Sequence, residues 1–373
     1  MPSNQTWFCF LNVHRLKFRL VFTVLILLFN LPAVYADEPK ADDESVIQSI
    51  DFKNSKEVDE FIDFMISRHG FTRHDLDFVF DRVQFNARCI ELMKPAPTVK
   101  FKNWQAYRAR FIEPKRIKAG VDFWTKYAKP LKRAEKLYGV PAQIIVGIIG
   151  IETVYGKNVG KFHIIDVLST LSFAYPDTPN RDSRMTYFKS ELEQSLLFAR
   201  ESGIDPFSLL GSYAGAIGWP QFMPSSVRLY GVDFDGDGKI DLRNSPEDAI
   251  GSVANFLAQH GWKPELPLVF PATLVNDQIE QDDTLKDKFA KDLSATYSLD
   301  QLADTAVPTQ KEATPSLTYG LIDLQNGDNP TEYWLATDNF FAITKYNRSY
   351  FYAMSVIELG KAVCHAKFAH KSC

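Results

Sequence analysis

The sequence predicts a mainly α-helical protein of the α+β class, with a small β-rich subdomain inserted near its C-terminal end. Apolar residues recur at helical spacing over much of residues 55–260. Residues 143–151 are apolar on every face but too few to span a membrane, so we expect them to form a helix at the domain centre. From residue 266 the pattern changes to short β-prone pieces between turn-rich acidic stretches.

The composition is typical of a globular protein and excludes several classes. The chain has 373 residues, of which 45% are hydrophobic, and a formal net charge of −4. This excludes a disordered chain, and the presence of a single long apolar run excludes a polytopic membrane protein. Non-specific nucleic-acid binding depends on Lys and Arg contacts to phosphates. Because the net charge is negative, we expect no nucleic-acid partner.

The first 36 residues have the order of a Sec signal peptide. Basic residues precede the apolar run 20–29, which is followed by Pro32 and by the small-x-small pattern Val34-Tyr-Ala36. This run is about half the length that a membrane span needs; an uncleaved anchor is the alternative interpretation. Cleavage would leave residues 37–373 with a formal net charge of −7. That length is enough for two or three lobes.

Helical patterns follow an acidic, flexible tether over residues 37–54. The N-terminal helical region, residues 55–138, opens with two amphipathic helices and has a break at Pro95-Ala-Pro97. Aromatic and basic residues alternate over residues 104–138, as in a groove for a sugar or an anionic polymer. Half-buried helix faces with snorkelling Lys and Arg side chains would give the same pattern.

The rest of the chain divides into a core and an insert. We expect a core over residues 139–264, with helices near 164–174, 184–202 and 248–259. The β-rich subdomain occupies residues 265–338, and residues 339–363 return to the core with a helix from about residue 350. A tail over residues 364–373 follows.

Export would leave three cysteines, Cys89, Cys364 and Cys373, in an oxidising compartment. Cys364 and Cys373 could close a small terminal loop, but the sequence alone does not define the pairing, and one thiol is left over. A metal site that combines these two cysteines with His365 and His370 is a less favoured alternative, because exported cysteine pairs usually oxidise.

Glu152 directly follows the apolar segment. A carboxyl at the end of such a helix is either paired or desolvated, and desolvation raises its pKa toward the range in which it can donate a proton at neutral pH. Glu152 is therefore a candidate general acid. The alternative is a Glu that only caps or pairs with a neighbouring turn.

Residues 211–226 combine several Gly and Ala residues with two prolines and the polar side chains of Ser212 and Gln221. Small residues let a ligand approach the backbone closely, so this segment could present both side chains to a ligand. A tight packing loop between helices is the alternative.

Residues 233–248 predict a calcium-binding loop with a structural role. Acidic residues lie at positions 1, 3, 5 and 9 of the loop pattern, Gly238 at position 6, and Asn244 replaces the usual Glu at position 12. Asp248 or Glu247 could close a longer loop, whereas a solvated Asp-rich turn is the alternative. The predicted ligands are Asp233, Asp235, Asp237, Lys239, Asp241 and Asp248.

Together these elements resemble the membrane-bound lytic murein transglycosylase B family of peptidoglycan-cleaving enzymes. The resemblance extends from about residue 55 to residue 363. The matching segments are Gly139-Val-Pro141, Ile145 to Thr153, Leu168 to Phe173, Gly211 to Gly218, Gln221 to Ser226, Asp248 to Asn255, His260-Gly-Trp262, and Tyr346-Asn347 with Tyr352.

The resemblance implies a lysozyme-like helical core and non-hydrolytic cleavage of the β-1,4 bond between N-acetylmuramic acid and N-acetylglucosamine, which yields 1,6-anhydromuramoyl ends. Glu152 matches the residue that acts first as acid and then as base. Ordinary glycosidases need two carboxylates, and the sequence offers only one well-placed candidate. A hydrolytic muramidase and a non-catalytic peptidoglycan-binding protein are the alternatives.

The resemblance also implies the remaining site residues and partners. Arg184 and Tyr187 match positions that contact the stem peptide, although the local insertion at residues 177–183 could bring Arg181 into that role. The residues that match the saccharide groove are Ser212, Gln221, Tyr346, Asn347, Tyr352 and Tyr107. The partners would be glycan strands, stem peptides and other cell-wall enzymes. The resemblance implies no organic cofactor.

Family members are often lipoproteins, but Cys9 precedes the apolar run and so is not placed for lipidation. We therefore expect a soluble periplasmic monomer.

Overall fold

The computed structural model describes residues 50–95, 102–275, 289, 293–309 and 313–369, and the predicted signal peptide lies outside them. The N-terminal region contains the 3₁₀ turn Phe52–Asn54 and six helices: α1 Lys56–His69, α2 Arg73–Phe80, α3 Ala87–Met93, α4 Trp104–Ala109, α5 Pro114–Lys126 and α6 Ala128–Tyr138. The central part contains α7 Ala142–Thr153, β1 Phe162–His163, α8 Ile164–Phe173, α9 Arg181–Ser202, the 3₁₀ turn Pro206–Ser208, β2 Leu210–Gly211, α10 Pro224–Tyr230 and α11 Pro246–Gln259. The C-terminal part contains β3 Val269–Leu274, α12 Leu299–Leu302, β4 Ala306–Pro308, β5 Gly320–Asn326, β6 Asn329–Ala336, α13 Asp338–Tyr346 and α14 Tyr350–Phe368.

Helix α7 lies at the centre of the core, as its uniformly apolar sequence predicts. Almost all of its residues are buried. Glycines allow α14 to pack closely on it: a Cβ added to Gly147 would lie 2.3 Å from the backbone oxygen of Val356. This close contact places Tyr352, in the first turn of α14, beside the C-terminal end of α7.

The N-terminal helices pack on the same core rather than forming a separate body. Phe61 on α1 and Phe52 both make edge-to-face contacts with Phe173 of α8, at centroid distances of 6.0 and 6.4 Å. Residues 52–54, expected to belong to a flexible tether, form a 3₁₀ turn because Phe52 is buried against the core. Residues 37–49 of that tether lie outside the described residues.

The predicted β-rich insert is a four-stranded antiparallel sheet with strand order β4-β3-β6-β5. Its two faces pack differently. Leu321 and Leu335 belong to a small separate cluster, whereas Ile322 and Leu324 join the main core. The side-chain oxygen of Asn326 also accepts a hydrogen bond from the Gln105 backbone N–H in α4, at 3.1 Å.

The structure differs from the expected elements at several places, among them helix α10, which overlaps the segment expected to be an irregular wall. Residues 338–346 form helix α13, which the sequence pattern did not indicate. Helix α14 extends to Phe368, beyond the predicted end of the core at residue 363. Glu152 lies within the last turn of α7 rather than after it, because α7 continues to Thr153.

Among the described residues, no single helix is long and apolar enough to cross a membrane. The consecutive helices α6 and α7 pass the test of length and composition only as a pair, with a bend of 116° between them.

Cys89 is a free, buried thiol, and Cys364 is disulfide-bonded. The predicted pairing of Cys364 with Cys373, like the alternative site that includes His370, involves residues outside the described part of the chain.

Replacing Gly147 with Ala should lower the free energy of unfolding by about 3 kcal/mol, because the new methyl group must push α14 away from α7. Gly203→Ala is the control: Gly203 has φ +64° but open space around its Cα. It should lose only about 1 kcal/mol, from the left-handed backbone. Urea unfolding followed by circular dichroism measures both, and equal losses would contradict the proposed close packing.

Candidate active site

Glu152 lies in the last turn of α7, and its side chain is partly exposed. Burial of the carboxyl raises its pKa to about 7, while a hydrogen bond from the Tyr352 hydroxyl to Oε1, 2.6 Å long, opposes the rise. A carboxyl with this pKa is populated in both protonation states near neutral pH. It can therefore donate a proton and later accept one.

Two tyrosines form a layer beside Glu152. The rings of Tyr346 and Tyr352 are nearly parallel, with an interplanar angle of 13° and centroids 6.3 Å apart. The Tyr346 hydroxyl donates a hydrogen bond to the carbonyl oxygen of Pro220. Burial, together with the nearby Glu152 carboxyl, raises the pKa of both phenols. They therefore act as neutral hydrogen-bond donors.

The segment that carries Ser212 and Gln221 is tied to the end of α7. Thr153 donates from its hydroxyl to the carbonyl oxygen of Trp219 at 3.0 Å. Gln221 has φ +51°, and its side-chain amide donates to the Gly218 carbonyl at 2.8 Å. The Ser212 hydroxyl accepts from the Ala216 backbone N–H at 3.0 Å.

This segment is therefore a folded wall, and we call residues 210–222 the polar wall. Thr153 is a residue that the sequence reasoning missed as part of the site. Its position directly after Glu152 was the only available signal.

Tyr107 and Asn347 complete the set of predicted groove residues. Tyr107 packs against Phe111 and Phe351, and burial raises its pKa to about 12, with a further contribution from the Glu152 charge. Asn347 caps α13 in an extended conformation and is partly exposed. The structure thus brings Tyr107, Tyr346 and Tyr352 near Glu152.

The resemblance implied that Arg184 and Tyr187 contact the stem peptide, which requires accessible side chains. In the structure Arg184 instead lies among aromatic rings. Arg184 is only 5% exposed, and its Nε donates to the Tyr175 hydroxyl at 3.2 Å. Its guanidinium also lies over the rings of Tyr187 and Phe188. Arg181 is more exposed, and its Nε donates to the Tyr175 carbonyl. The insertion therefore leaves Arg181 as the more accessible cation.

Three of the predicted metal ligands form an acidic group. Carboxylate oxygens of Asp233, Asp235 and Asp248 lie within 4.8 Å of one another. Asp248 is buried and accepts backbone hydrogen bonds from Phe234 and Asp241, each at 2.8 Å. Close carboxylates repel one another, and hard cations prefer oxygen ligands, so this group fits a calcium-type ion.

The other predicted ligands do not belong to this group. Asp237 and Lys239 are exposed. The Asp241 carboxylate accepts backbone hydrogen bonds from Arg243 and Asn244, at 3.0 and 2.9 Å. Asp248, which the sequence analysis proposed as the residue that closes a longer loop, does belong to the acidic group.

The fold and the site around Glu152 define a class of protein. It is a mainly helical enzyme in which a carboxyl with a raised pKa lies beside two tyrosine rings. Comparison with known proteins narrows this class. Residues 53–361 match the family model described as a transglycosylase SLT domain. The chain is 41% identical to the membrane-bound lytic murein transglycosylase B of Escherichia coli over 325 residues, 85% of each protein.

Solved structures agree with the family. The catenated lytic transglycosylase SltB1 from Pseudomonas aeruginosa is 42% identical, with a TM-score of 0.76, and the match covers 85% of this chain and all of that one. The Escherichia coli lytic transglycosylase Slt35 in complex with calcium is 40% identical, with a TM-score of 0.73 over 88% of this chain and 99% of that one. SltB3 from Pseudomonas aeruginosa in complex with NAG-NAM-pentapeptide is 27% identical, with a TM-score of 0.69 over 82% and 78% of the two chains.

The chain therefore belongs to the SLT family of lytic murein transglycosylases, enzymes that cleave peptidoglycan. Its mainly helical core is the lysozyme-like fold that the resemblance implied.

Glu152 should make the stability of the protein depend on pH. Its pKa rises from 4.5 in the unfolded chain to about 7 in the folded protein. Its contribution is therefore complete below pH 4.5 and is lost as the pH rises through about 7. Glu152→Gln should gain about 3 kcal/mol of unfolding free energy over wild type between pH 4.5 and pH 8, because each unit of the pKa shift corresponds to about 1.4 kcal/mol. Urea titrations across this range measure the difference, and a constant difference would contradict the raised pKa.

Proposed function

We propose that Glu152 is the single acid–base group of a non-hydrolytic cleavage of the muramoyl glycosidic bond. The observation that carries the proposal is a partly exposed carboxyl at the end of an apolar helix, hydrogen-bonded to Tyr352 and with its pKa raised to about 7 by burial. Burial and the Tyr352 hydrogen bond are the causes of that pKa, and no carboxylate among the described residues contributes to it. One carboxyl suffices when the substrate itself provides the nucleophile.

The proposed reaction has two proton transfers. Protonated Glu152 first donates its proton to the glycosidic oxygen as the bond between that oxygen and the muramoyl C1 breaks. The resulting carboxylate then takes the proton of the muramoyl C6 hydroxyl as the C6 oxygen bonds to C1. The anhydro ring closes and Glu152 regains its proton, so no water is consumed. The Tyr352 hydroxyl stabilises the carboxylate between the two steps.

The polar wall and the tyrosine layer would hold the glycan strand. Aromatic faces stack on sugar rings, and hydroxyl and amide groups pair with N-acetyl groups. We assign this role to Tyr107, Ser212, Gln221, Tyr346, Asn347 and Tyr352. Because the C6 hydroxyl must lie close to C1, such positioning accounts for much of the rate increase.

We assign recognition of the stem peptide to the N-terminal end of α9. Arg181 is accessible, whereas Arg184 and Tyr187 would have to leave their buried ring contacts. A guanidinium suits the carboxylates of the peptide. The structure of SltB3 in complex with NAG-NAM-pentapeptide supports a peptide-bearing ligand for this family.

The sequence of the first 36 residues supports export to the periplasm by the Sec route. The position of Cys9 before the apolar run supports a soluble form rather than a lipoprotein.

We also propose that Asp233, Asp235 and Asp248 bind Ca²⁺ in a structural role. Three carboxylates within 4.8 Å support this, as does the calcium complex of Slt35. When bound, the ion would offset the repulsion among these carboxylates and stabilise residues 233–248.

Glu152→Gln should reduce the release of anhydromuropeptides from purified sacculi by at least about 10³-fold, because the amide cannot transfer the proton. Mass spectrometry identifies the products, which are one water lighter than those of hydrolysis. Glu191→Gln is a matched control: Glu191 is also buried, with a pKa of about 7, but it accepts hydrogen bonds from Ser225. This variant should keep activity within about tenfold of wild type.

Other outcomes would select the alternatives. Reducing-end products from wild type would identify a muramidase. Binding to sacculi without any release would identify a non-catalytic protein, and full activity of Glu152→Gln would overturn the assignment of the acid.

Asp235→Asn should weaken Ca²⁺ binding by about tenfold or more, because it removes one of three charged ligands. Isothermal titration of chelator-treated protein measures the affinity, and calcium should raise the melting temperature of wild type. Asp328→Asn, in the exposed turn between β5 and β6, is the control and should bind as wild type does. Equal affinities of all three proteins would contradict the site.

A further inference from the structure

We propose that Arg243 is a positioning residue that holds the polar wall against the segment following Glu152, and so sets the affinity for the glycan. This inference rests on the proposed role of Ser212 and Gln221 in saccharide binding. Arg243 lies inside the predicted calcium loop, at a position that the loop pattern does not use as a ligand, and in the turn before α11. No motif of the sequence singled it out as a functional residue.

The Arg243 side chain joins two segments that approach the site from different parts of the chain. Its Nη1 lies 3.1 Å from the Gly160 carbonyl oxygen, 3.4 Å from that of Val159 and 3.3 Å from that of Leu210. Residues 159 and 160 follow the helix that carries Glu152, whereas Leu210 begins the polar wall. Arg243 has no ion pair among the described residues, so carbonyl oxygens are its partners.

The backbone around Arg243 holds a third segment. Its carbonyl oxygen accepts a hydrogen bond from the Trp219 indole N–H at 3.0 Å, and the Leu242 carbonyl accepts one from the Trp219 backbone N–H at 2.8 Å. A Cβ added to Gly218 would lie 2.1 Å from the Leu242 oxygen. The turn that contains Gln221 is therefore built directly on residues 242 and 243.

A strand pair already joins the polar wall to the segment that follows Glu152, since Phe162 and His163 of β1 pair with Gly211 and Leu210 of β2. A cavity of about 670 Å³ adjoins it, lined by Leu210, Ile217, Leu242 and Arg243. Side chains of α9, among them Phe198, line the same cavity. The hydrogen bonds of Arg243 therefore add to the restraint of that strand pair on a side where the polar wall borders open space.

Arg243 therefore acts through Ser212 and Gln221 rather than on the reacting atoms. Hydrogen bonds from a charged donor are stronger than those between neutral groups, and their loss would let the wall move relative to Glu152. The expected result is a lower affinity for saccharide.

The test compares Arg243→Ala and Arg243→Lys with Arg200→Ala, each in the Glu152→Gln background. Arg200 is a matched control, since its Nη1 donates to the His69 carbonyl at 2.8 Å and its guanidinium stacks on Phe71. Calorimetry with the soluble NAG-NAM-pentapeptide should show affinity reduced about tenfold by Arg243→Ala. Arg243→Lys should recover part of it, because the charge remains. Unchanged affinity in Arg243→Ala, or an equal loss in Arg200→Ala, would overturn the proposal.

A second measurement separates this inference from the proposed function. Hydrogen exchange of residues 209–222 should accelerate in Arg243→Lys and stay unchanged in Arg200→Ala, whether or not the protein cleaves glycan. If wild type releases no anhydro product, the proposed function fails, and this exchange still decides whether Arg243 holds the wall. Unchanged exchange in Arg243→Lys would overturn the positioning role.

Discussion

The arrangement of the site depends on the desolvation of one carboxyl, that of Glu152. Glu152 stands at the end of a helix whose other residues are almost all buried, so its charged form loses the water that would stabilise it. A completely buried carboxyl could not reach a substrate, and a fully exposed one would have an ordinary pKa. The partly exposed last turn of α7 satisfies both requirements, and the Tyr352 hydroxyl limits the rise in pKa.

The surroundings of Glu152 form one connected framework. Tyr352 contacts the carboxyl and stacks on Tyr346, whose hydroxyl holds the Pro220 carbonyl. Thr153 joins the same wall from the other side, through the Trp219 carbonyl. In a reaction whose nucleophile belongs to the substrate, the protein contributes mainly an acid and a fixed geometry, and this framework provides the geometry.

The local patterns of the sequence predict much of this structure, but they do not predict the contacts that assemble it. Periodicity and the apolar run indicate α7 and the position of Glu152, because both depend on neighbouring residues. The hydrogen bond between Tyr352 and Glu152 joins residues 200 positions apart, so no local pattern indicates it. The sequence predicts six ligands over residues 233–248, whereas only Asp233, Asp235 and Asp248 bring carboxylate oxygens within 4.8 Å of one another, because that distance depends on how the loop folds against α11. Arg184 is likewise buried by aromatic neighbours whose contacts depend on the fold.

Strand β5 packs on both of its faces, and this packing ties the insert to the helical body. Alternate residues of one strand complete two different apolar clusters, one of which is the main core. Deleting the sheet would expose that core, and isolating it would expose Ile322 and Leu324 to water. We therefore expect the insert and the helical body to unfold in a single cooperative transition.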